Sequence, residues 1–179
     1  MIARDDVEIT TYPADAIVAP GNRTALVVNV APRPRMHLYA SGASGYRQVR
    51  LTIAPDPLVR VLPLGYPSSQ MFFFEPLNER VPVYQTPFGL LQEIVLEATP
   101  DAEAAFHGRR ELTLIGTLEY QACDDKVCFN PAAVPLSWTL KNILRSKESC
   151  DTEGRGRSRP SVGGGSLAGS WEIIDGHAG

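Results

Sequence analysis

The chain has 179 residues, of which 44% are hydrophobic, and a formal net charge of -3. This length suits one domain with a hydrophobic core plus a tail, because two full domains would be crowded. The 17 basic residues are scattered apart from Arg155, Arg157 and Arg159, and no segment approaches the roughly 20 consecutive apolar residues of a membrane-spanning helix. We therefore expect no nucleic acid partner and no direct membrane insertion of this chain.

The first residues of the chain carry no secretory signal pattern. Met1-Ile-Ala-Arg-Asp-Asp6 lacks the apolar h-region and the small-residue cleavage site that such a signal needs. Three interpretations stay open at this stage: a mature or cloned form, a misassigned gene start, or a cytoplasmic domain.

Short segments of alternating apolar and polar residues, separated by some of the 15 prolines and 15 glycines, predict β-strands. The clearest segment is 112–120, in which Leu112, Leu114, Leu118 and Tyr120 share one face of the strand. The predicted strands in chain order are 7–11, 24–30, 36–39, 49–53, 90–96, 112–120 and 134–140.

The spacing of these strands predicts an all-β fold. About seven or eight short strands without a long segment of helical period are typical of an immunoglobulin-like antiparallel β-sandwich. A lipocalin-like barrel is the structural alternative. Asp101–Phe106, between Pro100 and Gly108, predicts one or two helical turns in a connection.

The composition changes after Lys141. Glycines, serines and scattered arginines form a low-complexity stretch that cannot bury enough apolar surface to order itself. We therefore predict a domain over 5–142 and a disordered tail over 143–179. Cys150 and Trp171 lie in that tail, and we expect no functional thiol and no docking segment there.

Two of the three cysteines, Cys123 and Cys128, are close in sequence, and an odd count argues against a dense disulfide framework. They follow the best predicted strand and precede another strand after Pro131, so they flank a tight turn. Residues that face each other across a hairpin have Cα atoms about 4.5 to 5.5 Å apart, which overlaps the range of about 4.4 to 6.8 Å that suits a disulfide. A bridge between them is geometrically easy.

Such a bridge would stabilise the fold only weakly. Closing a loop of about six residues contributes roughly 2 kcal/mol, against about 4 to 5 kcal/mol for a loop of about 100 residues. A bridge at the tip of a turn is also open to attack by a thiolate, as reversible exchange requires. The hairpin has no helix N-terminus to activate a thiolate, and Asp124 and Asp125 disfavour one. These features favour a cysteine pair that transfers electrons passively.

Three other interpretations of the cysteine pair compete with this one. The bridge could be purely structural, or the two thiols could be free and buried. A zinc site is disfavoured because the Cys spacing, with only His37, His107 and His177 elsewhere, matches no usual ligand pattern. We expect no metal and no organic cofactor.

The residues around the pair resemble the periplasmic N-terminal domain of DsbD-type thiol:disulfide interchange proteins. The matching motif is an aromatic, a polar and a small residue before the first Cys, then a short loop, the second Cys, an aromatic residue and a Pro that leads into a strand. In this chain the motif consists of Tyr120-Gln-Ala-Cys123, Cys128-Phe-Asn-Pro131 and Val134-Pro-Leu136. Supporting matches are Met36-His-Leu-Tyr39, Tyr66-Pro67, Phe72 and Val81-Pro-Val-Tyr84. The resemblance covers roughly 5–142.

The resemblance implies an immunoglobulin-like domain, outside the cytoplasm, that relays electrons. The electron donor would be a thioredoxin-like protein or domain, and the acceptors would include disulfide isomerases and cytochrome c biogenesis proteins. By this analogy Cys128 is the nucleophile and Cys123 the resolving thiol. The domain would be a component of a protein-disulfide reductase, in a larger membrane-anchored or fused protein. The alternative is a non-enzymatic binding or docking module whose hairpin disulfide is structural.

The resemblance also implies an aromatic cap loop over the cysteines, and the segment with Phe72, Phe73 and Phe74 fits that role. Three consecutive residues of a strand cannot all face one side, so at least one of these rings is expected to cover the site. The alternative is that Phe72 and Phe74 fill the core while Phe73 lies on the surface. His37 and Tyr39 alternate on a predicted strand, and we interpret both as packing residues without a chemical role.

Overall fold

The structure, a computed structural model, describes residues 1–75, 78–107, 109–124 and 126–142. The predicted tail, with Cys150 and Trp171, lies outside these described residues. In the described part, thirteen strands and one short helix follow in chain order. They are β1 (Ile2–Ala3), β2 (Val7–Pro13), β3 (Ile17–Val18), β4 (Arg23–Pro32), β5 (His37–Tyr39), β6 (Arg50–Ile53), β7 (Val59–Val61), β8 (Gln70–Phe74), β9 (Glu79–Tyr84), β10 (Phe88–Leu96), α1 (Pro100–Phe106), β11 (Glu111–Tyr120), β12 (Ala122–Cys123) and β13 (Ala132–Asn142).

The strands form three sheets. Their strand orders are β1-β2-β4-β10-β7, β3-β13-β11-β6 and β12-β5-β9-β8. Neighbouring strands of the described sheets are antiparallel, apart from the short parallel pair of β13 and β3. None of these sheets closes on itself. The prediction of an immunoglobulin-like antiparallel sandwich is confirmed, and the lipocalin-like barrel is wrong.

The first two sheets enclose the main hydrophobic core. In β11 the side chains predicted to share a face, Leu112, Leu114, Leu118 and Tyr120, are all buried, because alternate residues of a strand point to the same side of the sheet. Trp138 of β13 is buried as well, and its indole Nε1 donates a hydrogen bond to a backbone carbonyl of β4 at 3.1 Å. This bond joins the two facing sheets through the core.

The seven predicted strands are all present, with ends that differ by a few residues. The strands that the sequence did not predict lack a clear alternation. β1, β3 and β12 have two residues each, β7 has three, β8 is a run of apolar residues after Gln70, and β9 contains Pro82. Short or uninterrupted apolar segments carry no period-two signal, so tertiary pairing decides whether they become strands.

The predicted helical turns are also present, as α1. The Thr99 side chain caps the helix by accepting a hydrogen bond from the Ala102 amide, and Pro100 occupies the first turn. Ala102 and Phe106 are buried against the main core. In the described ranges, no helix has the length and apolar character that crossing a membrane would require.

The third sheet places one side chain from each of its strands on a common face. In this sheet Cys123 pairs with His37, Tyr39 pairs with Val83, and Phe72 pairs with Val81. Directly paired residues and alternate residues of one strand share a face. Cys123, Tyr39, Val81 and Phe72 accordingly meet in a second, smaller hydrophobic cluster.

Candidate functional site

Cys123 and Cys128 are joined by a disulfide across a short hairpin. Their Cα atoms are 4.0 Å apart, and the two residues form an antiparallel bridge. Backbone hydrogen bonds close the hairpin independently of the sulfurs. The Asp124 amide donates to the Val127 carbonyl, and the Phe129 amide donates to the Ala122 carbonyl, each at 2.9 Å. The pairing predicted from the spacing is therefore present on a hairpin that is also held by its backbone.

The two cysteines have different environments. Cys123 is 1% exposed and belongs to the second hydrophobic cluster, whereas Cys128 is exposed. An incoming thiolate must approach one sulfur along the S–S axis, and access decides which sulfur it reaches. The accessible residue of this disulfide is Cys128.

Asp124 shapes the turn between the cysteines. One of its carboxylate oxygens accepts hydrogen bonds from the amides of Lys126 and Val127, at 2.7 and 2.6 Å. These two hydrogen bonds lower the pKa of Asp124 below its ordinary value, because they stabilise the charged carboxylate. The turn is an Asx-type turn, in which a side-chain oxygen of Asp124 accepts hydrogen bonds from backbone amides two and three positions later.

A cavity of about 150 Å³ adjoins the disulfide. Both cysteines line it, together with aromatic residues from the third sheet and residues of the hairpin. Its lining consists of His37, Tyr39, Tyr46, Phe72, Phe74, Val81, Cys123, Asp124, Lys126, Val127 and Cys128. The cysteine pair therefore lies beside a small and largely aromatic recess.

The three phenylalanines of β8 have different positions. Phe72 and Phe74 line the cavity, and the Phe72 ring packs on His37 with ring centroids 4.6 Å apart. Phe73 points to the other face of the strand, where it is 46% exposed and lies 5.8 Å from the Arg80 guanidinium. Phe72 and Phe74 are thus brought to the cysteines, and Phe73 is not.

The Tyr39 hydroxyl lies next to both sulfurs. Its oxygen is 3.3 Å from Cys123 Sγ and 3.4 Å from Cys128 Sγ. Disulfide sulfurs carry no hydrogen and are weak acceptors, so the tyrosine is the donor in these contacts. Burial, with Tyr46 and Glu79 nearby, raises the pKa of Tyr39 to about 12. The hydroxyl therefore keeps its proton at neutral pH.

Tyr46 and Glu79 support Tyr39 through ring stacking and a hydrogen bond. The Tyr46 ring stacks on the Tyr39 ring with centroids 4.0 Å apart and an interplanar angle of 18°. The Tyr46 hydroxyl donates a hydrogen bond to the Glu79 carboxylate at 2.9 Å, and this bond is the main reason why the pKa of Tyr46 is raised. Glu79, Tyr46 and Tyr39 form a connected row that ends at the disulfide.

The sequence interpretation of this region was incomplete. His37 and Tyr39 are buried, as expected of packing residues, but the position of the Tyr39 hydroxyl was missed. The alternation of His37 and Tyr39 indicated a shared face without indicating that Cys123 pairs beside them. Tyr46 and Glu79 lie in a connection and at a strand end, and no local pattern marks them.

Within 1–75, 78–107, 109–124 and 126–142, no group of three or more His, Cys, Asp or Glu side chains is placed to hold a metal ion. The reactive group that the site offers is the disulfide. Its sulfurs can accept a thiolate, form a mixed disulfide and release the second cysteine as a thiolate.

The chain is similar to a protein family and to a solved structure. The family model described as the N-terminal part of the thiol:disulfide interchange protein DsbD matches residues 9–135. A solved structure of the N-terminal periplasmic domain of ScsB from Proteus mirabilis has 13% sequence identity and a TM-score of 0.46, and the match covers 77% of this chain. This chain spans 47% of the length of that structure. A search of curated proteins found no match. Because the family model covers most of the sandwich and both cysteines, the chain belongs to the family of DsbD N-terminal domains.

Proposed function

We propose that this domain relays electrons by thiol-disulfide exchange, through a reversible Cys123–Cys128 disulfide. The donor is a thioredoxin-like protein or domain, and the acceptors are disulfide-containing proteins outside the cytoplasm. The observation that carries the proposal is the asymmetry of the pair, since a buried Cys123 is joined to an exposed Cys128 beside an aromatic cavity.

The exchange proceeds in two balanced steps. A thiolate of the donor attacks Cys128 Sγ, the S–S bond breaks, and its electron pair leaves on Cys123 Sγ. The second donor thiol, once deprotonated, then attacks the donor sulfur of the mixed disulfide and releases Cys128. The donor becomes a disulfide, and the domain gains two electrons and two protons. Electrons pass to an acceptor disulfide when the Cys128 thiolate attacks it and Cys123 resolves the product.

The backbone of the hairpin supports reversibility. Its two backbone hydrogen bonds and the Asp124 turn involve no sulfur atom. Reduction can therefore break the S–S bond while Cys123 and Cys128 stay neighbours, which keeps the resolving thiol within reach. A bridge across five positions of the sequence also contributes little to stability, so opening it costs the fold little.

Phe72 and Phe74 are the residues we assign to the cap. Their rings line the cavity that adjoins the disulfide, where they restrict the approach of small thiols and oxidants. A protein partner can displace them because β8 lies at the edge of its sheet. The exposed apolar residues Val127 and Phe129, on either side of Cys128, offer contact area for such a partner.

A compartment outside the cytoplasm suits this chemistry. Disulfides persist where the environment is oxidising, and the cytoplasm keeps most thiols reduced. The family description as part of a thiol:disulfide interchange protein is consistent with this location. A role in cytochrome c biogenesis and a larger membrane-anchored or fused protein remain part of the proposal.

The test is the equilibrium reduction potential of the Cys123/Cys128 pair. It is measured in a glutathione or dithiothreitol series, with free thiols counted by alkylation and with Cys150→Ser to remove the third thiol. A potential near or above about -270 mV, with rapid exchange with a thioredoxin-like protein, supports the proposal. A potential well below about -300 mV with slow exchange contradicts it and favours a structural hairpin bridge in a binding module.

A further inference from the structure

We propose that the Tyr39 hydroxyl takes part in the exchange, as the hydrogen-bond donor to the Cys123 thiolate that leaves when the disulfide opens. Tyr46 and Glu79 are positioning residues that hold Tyr39 in place. This inference rests on the proposed exchange function and identifies how the buried half of the pair is made reactive.

The buried cysteine needs such a donor. Attack at the exposed Cys128 sends the bonding electron pair to Cys123 Sγ, and Cys123 is 1% exposed. A thiolate in an apolar environment is destabilised, since burial raises the pKa of a thiol. A leaving thiol of higher pKa leaves more slowly. Without a polar partner, the burial of Cys123 would slow the first step of the exchange.

Tyr39 is placed to supply that partner. Its hydroxyl oxygen lies 3.3 Å from Cys123 Sγ, within hydrogen-bond distance of a sulfur acceptor. The disulfide sulfur is a weak acceptor, whereas a thiolate is a strong one, so the hydrogen bond strengthens as the S–S bond breaks. An interaction that is stronger in the transition state than in the ground state accelerates the step. The tyrosine donates a hydrogen bond and keeps its proton.

Tyr46 and Glu79 restrict where that hydroxyl can lie. The Tyr46 ring covers one face of the Tyr39 ring, and the Glu79 carboxylate fixes the Tyr46 hydroxyl at 2.9 Å. Glu79 begins β9, the strand that pairs with β5 and so with Tyr39 itself. The row is therefore attached to the same sheet at both ends, which holds the donor over the sulfurs before a partner arrives.

The first experiment measures the second-order rate constant for reduction of the domain by dithiothreitol, in a Cys150→Ser background. Tyr39→Phe removes the hydroxyl and keeps the ring, and we expect the rate constant to fall about tenfold, as for the loss of a hydrogen bond to a charged group. Tyr84→Phe is the matched control. Tyr84 is a buried tyrosine of the same sheet, and its hydroxyl donates to the Pro67 carbonyl at 3.1 Å without lining the cavity at the disulfide. The control should react at the wild-type rate.

The second experiment tests the positioning residues by a double-mutant cycle. Tyr46→Phe and Glu79→Gln should each slow reduction by a smaller factor than Tyr39→Phe does. Because both act through Tyr39, combining Tyr46→Phe with Tyr39→Phe should cause no further decrease. The positioning role is wrong if Tyr46→Phe slows reduction by the same factor in the Tyr39→Phe variant as it does in the wild type. Tyr46 is only partly buried, so this variant keeps the test valid if Tyr39→Phe fails to fold.

Two different results would overturn the inference. If the wild-type disulfide exchanges readily while Tyr39→Phe and Tyr84→Phe react at the same rate as the wild type, Tyr39 has no role and the exchange function stands. If the wild-type disulfide itself does not exchange with a dithiol or with a thioredoxin-like protein, the exchange function fails and the role of Tyr39 fails with it.

Discussion

Cys123 and Cys128 form one disulfide but have different environments, since Cys123 is buried in a hydrophobic cluster and Cys128 is exposed. The asymmetry arises from the sheet. β12 pairs with β5 and carries Cys123 into the third sheet, whereas Cys128 lies beyond the turn, outside the named strands. Each half of the bond is therefore suited to a different step of an exchange reaction.

The first prediction concerns which cysteine forms the mixed disulfide. In a Cys150→Ser background, Cys123→Ser should accumulate a mixed disulfide with a thioredoxin-like protein, because the exposed Cys128 reacts and nothing resolves the product. Cys128→Ser should trap little, because Cys123 is buried. Non-reducing gel electrophoresis and mass spectrometry measure both. Equal trapping by the two variants would show that access does not decide the site of attack.

The second prediction concerns the proposed cap. Phe72→Ala should increase the rate of reduction by dithiothreitol several-fold, because removing this ring widens the cavity at the disulfide. Phe73→Ala is the matched control, since Phe73 is exposed on the other face of the same strand. Stopped-flow or quenched alkylation assays give the two rates. Equal rates for both variants would rule out shielding by Phe72.

The third prediction concerns the turn at Asp124. The Val127 and Lys126 amides lower the pKa of this carboxyl. The charged carboxylate therefore stabilises the turn fully above the unfolded pKa of about 3.9. This stabilisation of the turn is lost as the pH falls through the lower pKa of the folded state. The NMR signals of these two amide protons should shift in that acidic range. They should not show this shift in Asp124→Asn, and an identical titration in that variant would exclude Asp124 as the cause.

The fourth prediction concerns the packing of β11 in the second sheet. A Cβ on Gly116 would lie 2.7 Å from the Thr52 carbonyl oxygen and 3.1 Å from the Trp138 ring. Gly116→Ala should therefore decrease the free energy of unfolding by about 1 to 3 kcal/mol, as overpacking of a core does.

Denaturant unfolding followed by tryptophan fluorescence measures this change. Gly65→Ala is the control, because a Cβ there meets no atom within 4 Å, and we expect a change within about 0.5 kcal/mol. Similar free energies of unfolding for wild type and Gly116→Ala would mean that β6 and β13 accommodate the added Cβ without a loss of stability.

Local sequence patterns determined much of this protein. Alternation in 112–120, and in the six other segments that show it, predicted strands that are present. Pro100 and the following residues predicted the helix, and the cysteine spacing predicted a hairpin bridge. Each of these features depends on residues only a few positions apart, whose geometry is set by the local backbone.

Only the tertiary structure decided what surrounds the cysteine pair. Tyr39 is 84 positions from Cys123 and 89 from Cys128 in the sequence, yet its hydroxyl lies next to both sulfurs. Such contacts follow from the register between distant strands, which depends on the packing of the whole sandwich and leaves no periodic signal in either strand. The sequence thus determined that a cysteine hairpin exists, and the pairing of β12, β5, β9 and β8 decided which side chains lie next to it.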